Sequence, residues 1–145
     1  MKGLLKIFIR LFFAFSLTGC IGENYDFTPP SVTLFNSDIQ LKEANLDWQS
    51  DKHYKKETKE ILSLARKQKQ ASVSSGQQEL LVFDSEDFKV EELNVWLWQE
   101  DEKINLELDK NRNSYFPEEK GNYLIEVDLL TDSGSAQYVG NIVIQ

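Results

Sequence analysis

The stretch Tyr123-Leu124-Ile125-Glu126-Val127-Asp128-Leu129 decides the fold class. Its residues Tyr123, Ile125, Val127 and Leu129 recur at every second position and line one face of a strand. Downstream, Asp132-Ser133-Gly134 turns the chain, and residues 136–144 supply a further strand that closes the sheet. Upstream, Ile104, Leu106 and Leu108 alternate with Asn105, Glu107 and Asp109, which suits a strand with one wet face. The run 90–98 ends in Asn94-Val95-Trp96-Leu97-Trp98, with apolar residues on both faces, and Glu79-Leu80-Leu81-Val82-Phe83 is a shorter strand. Val32-Thr33-Leu34-Phe35 reads as a first strand and residues 39–48 as a second, edge-like one. Short strands punctuated by turns predict an antiparallel sandwich or barrel.

One segment breaks the pattern. Residues 52–69 contain no Gly or Pro and are rich in helix formers. Tyr54, Thr58, Ile61, Leu62 and Ala65 fall at helical spacing, Asp51 suits the N-cap, and Arg66, Lys67 and Lys69 suit the carbonyl end. The expectation is a helix over about 52–69 inserted into a mainly β domain.

The later strands carry a resemblance. Glu119-Lys120-Gly121-Asn122-Tyr123-Leu124-Ile125 is similar to the entry of strand F in immunoglobulin-like domains, and Val73-Ser74-Ser75-Gly76-Gln77-Gln78 to the turn before strand B. Trp96 or Trp98 falls where those domains place a core tryptophan on strand C. The resemblance covers about residues 70–145. It implies an immunoglobulin-like antiparallel β-sandwich in which the Tyr123 hydroxyl bonds back to nearby backbone. The cysteine pair of antibody-type domains is missing: Leu81 or Val82, and Ile125, occupy those positions.

The N-terminus speaks to location. Lys2, Lys6 and Arg10 precede the apolar run Leu11-Phe12-Phe13-Ala14-Phe15, which leads to Leu17-Thr18-Gly19-Cys20. A basic start, a short apolar core and small residues before a cleavage point make a secretory signal. The four residues ending at Cys20 resemble the lipobox of bacterial lipoproteins. That resemblance implies cleavage before Cys20, its diacylation, and stable anchoring by two chains at the extracytoplasmic face of a cell membrane. Residues 1–19 are then the signal peptide, 20–30 a lipidated tether containing Pro29-Pro30, and 31–145 a single domain. Cys20 is the only cysteine, so the domain has no disulfide. The first nineteen residues hold three of the sixteen basic residues and none of the twenty-four acidic ones, leaving residues 20–145 with a formal charge of −11. Such a surface repels phosphate polymers, so nucleic acid is not an expected partner.

Little of the sequence carries chemistry. The only histidine, His53, has Glu57 four residues on as a possible metal pair, but reads as solvated. Hydrolase elbows, phosphate-cradling glycine loops and paired metal-ligand motifs do not occur. Asp84-Ser85-Glu86-Asp87 and Glu100-Asp101-Glu102 could bind calcium only if their two loops converged. Trp96 and Trp98 share one strand face, which is the sandwich core, a ligand platform or, as favoured here, a surface covered by the helix through Ile61 and Leu62. No catalytic residue, cofactor or metal is expected. The expected function is non-catalytic binding or a structural role at the bacterial cell envelope, with an envelope protein as partner. The alternatives are a small-ligand or calcium-binding lipoprotein, or an accessory subunit of an envelope enzyme or transporter.

Overall fold

Period-two patterning becomes strand along most of the chain. The computed structural model describes residues 28–145, so the signal segment, Cys20 and most of the expected tether lie outside the described residues. In chain order the elements are β1 (Val32–Leu34), β2 (Ile39–Gln40), β3 (Lys42–Gln49), β4 (His53–Lys56), α1 (Ile61–Arg66), β5 (Gln70–Val73) and β6 (Gln78–Phe83). Then follow β7 (Val90–Gln99), β8 (Glu102–Leu106), β9 (Asn113–Tyr115), β10 (Gly121–Thr131) and β11 (Gly134–Ile144). A four-stranded sheet runs β2-β1-β6-β9, and a larger one runs β4-β3-β11-β10-β7-β8. The second half of β11 also pairs β5, in parallel, while the other ladders are antiparallel.

The two sheets face each other across one core. Val32, Leu34, Leu81 and Phe83 of the smaller sheet meet Leu97, Tyr123, Ile125, Val127, Leu129, Tyr138 and Ile142 of the larger. Tyr123, Ile125, Val127 and Leu129 are therefore the large sheet's inner face, each at most 2 % exposed. The described residues form a mainly β sandwich with one short helix. The smaller sheet sets β6 beside β9, and the larger sets β11, β10, β7 and β8 in order. These are the B–E and G–F–C–C′ neighbours of immunoglobulin-like sandwiches. The Tyr123 hydroxyl donates to the Glu119 carbonyl at 2.9 Å, the back-bond expected of a tyrosine at that corner. Leu81 and Ile125 are both buried where a disulfide would cross the sheets, so apolar packing takes its place; Val82 lies on the other face.

Three expectations need correction. First, the helix is six residues, Ile61–Arg66, and not 52–69. Residues 53–56 instead form β4, paired to β3 with Trp48 opposite Tyr54 and Leu46 opposite Lys56. Sheet hydrogen bonds to β3 override the helical propensity of these residues, because propensity amounts to only tenths of a kcal/mol per residue. A helix this short is marginal in isolation; it persists because Ala65, Ile61 and Leu64 pack on Ala44, Val139 and Leu124. Asp51 lies in the β3–β4 turn, and the helix N-cap is Glu60. Second, residues 39–48 do not make one edge strand. The chain changes sheets at the buried Leu41, whose N–H bonds the Val32 carbonyl at 2.9 Å, and β3 lies between β4 and β11. Third, the tryptophan in the core is Trp48, 2 % exposed and edge-on to Phe88 at 5.3 Å, while Val95 and Leu97 fill the inner face of β7.

The ends of the sandwich are distinct. The chain enters through Pro30, which is buried and accepts a 2.5 Å hydrogen bond from the Tyr138 hydroxyl. Ser31 N–H then bonds Asp84 Oδ1 at 2.7 Å, beside the loop joining β6 to β7. Val90, which opens β7, pairs Thr131 at this entry end, and β7 runs from there toward the opposite end.

Candidate functional site

Strand alternation sends Asn94, Trp96 and Trp98 of β7 to the outside of the large sheet, next to Asp128, Glu126 and Leu124 of β10, their register partners. Gln137 and Asn141 of β11 and Asn45 of β3 extend this face. The helix covers only its Ala44–Val139–Leu124 corner, through Ile61, Leu64 and Ala65. The expected cover of Trp96 and Trp98 by Ile61 and Leu62 is thus not what the packing provides. Lys103 of β8 takes that place, its Nζ 4.2 Å from the Trp96 ring centre and 5.2 Å from that of Trp98. Both indoles stay half-buried.

Beneath the lysine is a buried acid. Glu126 is 3 % exposed. Its Oε1 accepts from Trp98 Nε1 at 2.8 Å, and its Oε2 accepts from Gln137 Nε2 at 3.2 Å and lies 3.9 Å from Lys103 Nζ. Gln137 Nε2 also donates to Asp128 Oδ1 at 2.8 Å, and Gln137 Oε1 accepts from Asn45 Nδ2 at 2.6 Å. Burial pushes the Glu126 carboxyl above its ordinary pKa, aided by Asp128, while the indole N–H and Lys103 oppose the rise. Among the described residues no buried side-chain polar atom lacks a partner. The network therefore fixes the orientation of Trp98: its one donor is committed to a buried acceptor.

Two depressions flank this row. A shallow one of about 270 Å³ is lined by Asn45, Asn94, Asp128 and Gln137. An open groove of about 600 Å³ lies between Trp98 and the helix end, with Arg66, Gln70, Gln99, Asn122 and Asn141 on its walls and Leu124 in it. Trp98 lies eight residues along β7 from Val90, about 26 Å at strand rise, so the groove is remote from the entry of the chain.

The remaining candidates do not assemble. His53 lies on β4, with Nε2 2.7 Å from Asp47 Oδ1, and both side chains are substantially exposed. The hydrogen bond from His53 lowers the Asp47 pKa. Glu57 lies beyond β4 and pairs with Lys55 at 3.4 Å, so the helical spacing that would have joined it to His53 is not present. The acidic segments 84–87 and 100–102 lie at opposite ends of the ten-residue β7, about 30 Å apart, and do not converge on a cation. Within them Asp84 bonds Ser31 and Glu86 pairs with Arg112. Among the described residues no three His, Cys, Asp or Glu side chains form a metal-holding group, and no helix is long and apolar enough to cross a membrane.

Sequence reasoning found Trp96 and Trp98 but missed Glu126, Gln137 and Lys103. An acid between β-branched residues reads as the wet side of a strand, and only the register shows that its neighbours bury it. Glu79 was missed in the same way. It is 2 % exposed at the rim of the core, accepting from Asn36 N–H at 2.7 Å and from the Ser37 hydroxyl. No family model matches the chain, and no curated protein or solved structure matches it significantly.

Proposed function

We propose that this chain is a lipid-anchored, non-catalytic binding domain at the extracytoplasmic face of a bacterial cell membrane, and that the outer face of its large sheet does the binding. The anchor rests on the resemblance of Leu17-Thr18-Gly19-Cys20 to a lipobox. The observation that carries the binding role is the half-buried Trp96–Trp98 pair, which the helix leaves uncovered and which Lys103 and Glu126 hold in place. A fixed aromatic surface with polar groups around it is suited to recognition, because little rotamer freedom is left to lose on binding. The chain's entry through Pro30 and Ser31 lies at the far end of β7 from Trp98, so an anchored domain would turn its groove away from the lipid.

Fractionation of cells expressing the native chain and Cys20→Ser, followed by crosslinking in intact cells, tests this reading. The native chain is expected in the membrane fraction carrying acyl chains, with the cleaved Cys20→Ser form released. Membrane retention of a cleaved Cys20→Ser form would refute the anchor. Crosslinks confined to faces other than the Trp96–Trp98 row would refute the assignment of the binding face.

A further inference from the structure

Resting on that reading of the outer face, the geometry points to a specific occupant for the Trp98 groove: we propose that it binds a neutral oligosaccharide. Four features select this chemistry. The volume of about 600 Å³ is within the range of small-ligand sites and holds a few sugar rings. One wall is Trp98, whose N–H is tied to Glu126 at 2.8 Å and whose ring centre lies 5.2 Å from Lys103 Nζ, so the indole lines the groove in a fixed orientation with one side already held by the lysine. Such a ring suits the C–H face of a pyranose, which is apolar on its face and polar at its edge. The other walls carry the carboxamides Gln70, Gln99, Asn122 and Asn141, each combining donors with an acceptor, as ring hydroxyls do.

Three of these amides are already ordered. Gln70 Nε2 donates to Asn122 Oδ1 at 2.9 Å and to Asn141 Oδ1 at 3.3 Å, and Asn141 Nδ2 donates to the Arg66 carbonyl at 3.3 Å. These bonds orient the groups yet use only part of the four hydrogen-bonding positions of each carboxamide. The fourth feature is charge: Arg66 and Glu100 both line the groove and offset one another, which disfavours an ionic ligand. An amide-walled, charge-balanced groove beside an immobilised indole matches hydroxyl-bearing rings better than an anion, a cation or an extended apolar segment.

The test uses the full chain in a detergent that has no sugar headgroup, titrated with chitotetraose, cellotetraose and maltotetraose, and with trigalacturonate as the anionic comparison. Tryptophan fluorescence reports binding. At least one neutral tetrasaccharide is expected to give a saturable change below about 10 mM, well above background for a weak site. Trp98→Ala should weaken it about tenfold or more. Because Trp98 also caps Glu126, the exposed Asn122→Ala supplies a second variant, expected to weaken binding about three- to tenfold with its unfolding midpoint unchanged. No saturable response to any neutral saccharide, a response to trigalacturonate alone, or binding indifferent to Asn122→Ala would overturn the proposal. Protein crosslinks through the Trp96–Trp98 row combined with no saccharide response would overturn the saccharide while sustaining the outer face as a binding surface.

Discussion

Tyr138→Phe tests how the chain is stapled to the sandwich, because it deletes one oxygen and leaves the ring. In the native protein that oxygen lies in the core, the residue being fully buried, and it donates to the Pro30 carbonyl at 2.5 Å across 108 positions of sequence. Removing it forfeits one net hydrogen bond, about 1 kcal/mol, and leaves the Pro30 carbonyl facing an apolar ring edge, for a total of about 1–3 kcal/mol. The same oxygen makes the cost depend on pH. Burial, and then Glu43 and Asp84, push the Tyr138 pKa far above the ordinary tyrosine value of about 10. A group whose folded pKa is raised contributes stability that is complete below the unfolded pKa and is lost as pH rises through the folded one. The native protein therefore loses up to about 1.4 kcal/mol per pH unit through Tyr138 above about pH 10, a loss the phenylalanine variant escapes. Urea unfolding of both forms near pH 7, 9 and 11 measures this. The expected destabilisation is about 1–3 kcal/mol near pH 7 and 9, shrinking by about 1 kcal/mol near pH 11. A difference near zero at neutral pH, or one that stays constant through pH 11, would refute the reasoning.

Two further outcomes follow from local geometry. Tyr123→Phe removes the donor to the Glu119 carbonyl and should cost about 1 kcal/mol, lowering Tm by about 3–5 °C in a domain of this size; an unchanged Tm would remove the corner bond as a stabilising contact. Gly134→Ala would set a β-carbon 2.1 Å from the Asp47 carbonyl oxygen at a φ of +141°, so the variant should lose about 3 kcal/mol or more; native-like unfolding of Gly134→Ala would show that the β10–β11 turn can shift away from β3.

The strands of the sandwich were legible where burial and alternation coincide. Residues 123–129 announce an inner face because every inward side chain is apolar, and the Ile125–Leu81 juxtaposition follows from the same alternation in β6. The helix was only half legible. Tyr54 and Thr58 sit at helical spacing from Ile61 by sequence, yet Tyr54 is opposite Trp48 in a ladder, and the Thr58 hydroxyl bonds the Ala44 carbonyl at 2.6 Å. Those partners lie six and fourteen residues away in sequence, outside the spacings of three and four that a helical pattern reads. Strands β5 and β9, of four and three residues, were missed for the same reason: their pairing with β11 and β6 is long-range and their own patterns are too short to register. Trp96 and Trp98 were recognised as sharing a face, but assigning that face inward or outward required knowing that Val95 and Leu97 fill the core.

The outward placement of the tryptophans is what gives the outer face its character. Had the tryptophans pointed inward, Glu126 would have had no indole donor, since Trp98 Nε1 reaches it only because both stand on the same outer face of adjacent strands. The acid would then face water beside Lys103, with no reason to be buried. With the indoles outside, Lys103 covers them, Glu126 is enclosed at 3 % exposure, and its second oxygen takes Gln137, whose remaining bonds go to Asp128 and Asn45. One choice of strand face thus produces a row of mutually fixed side chains across β7, β10, β11 and β3. A row ordered before any ligand arrives loses little freedom on binding, which ties this face, more than the exposed His53 or the separated acidic loops, to a recognition role.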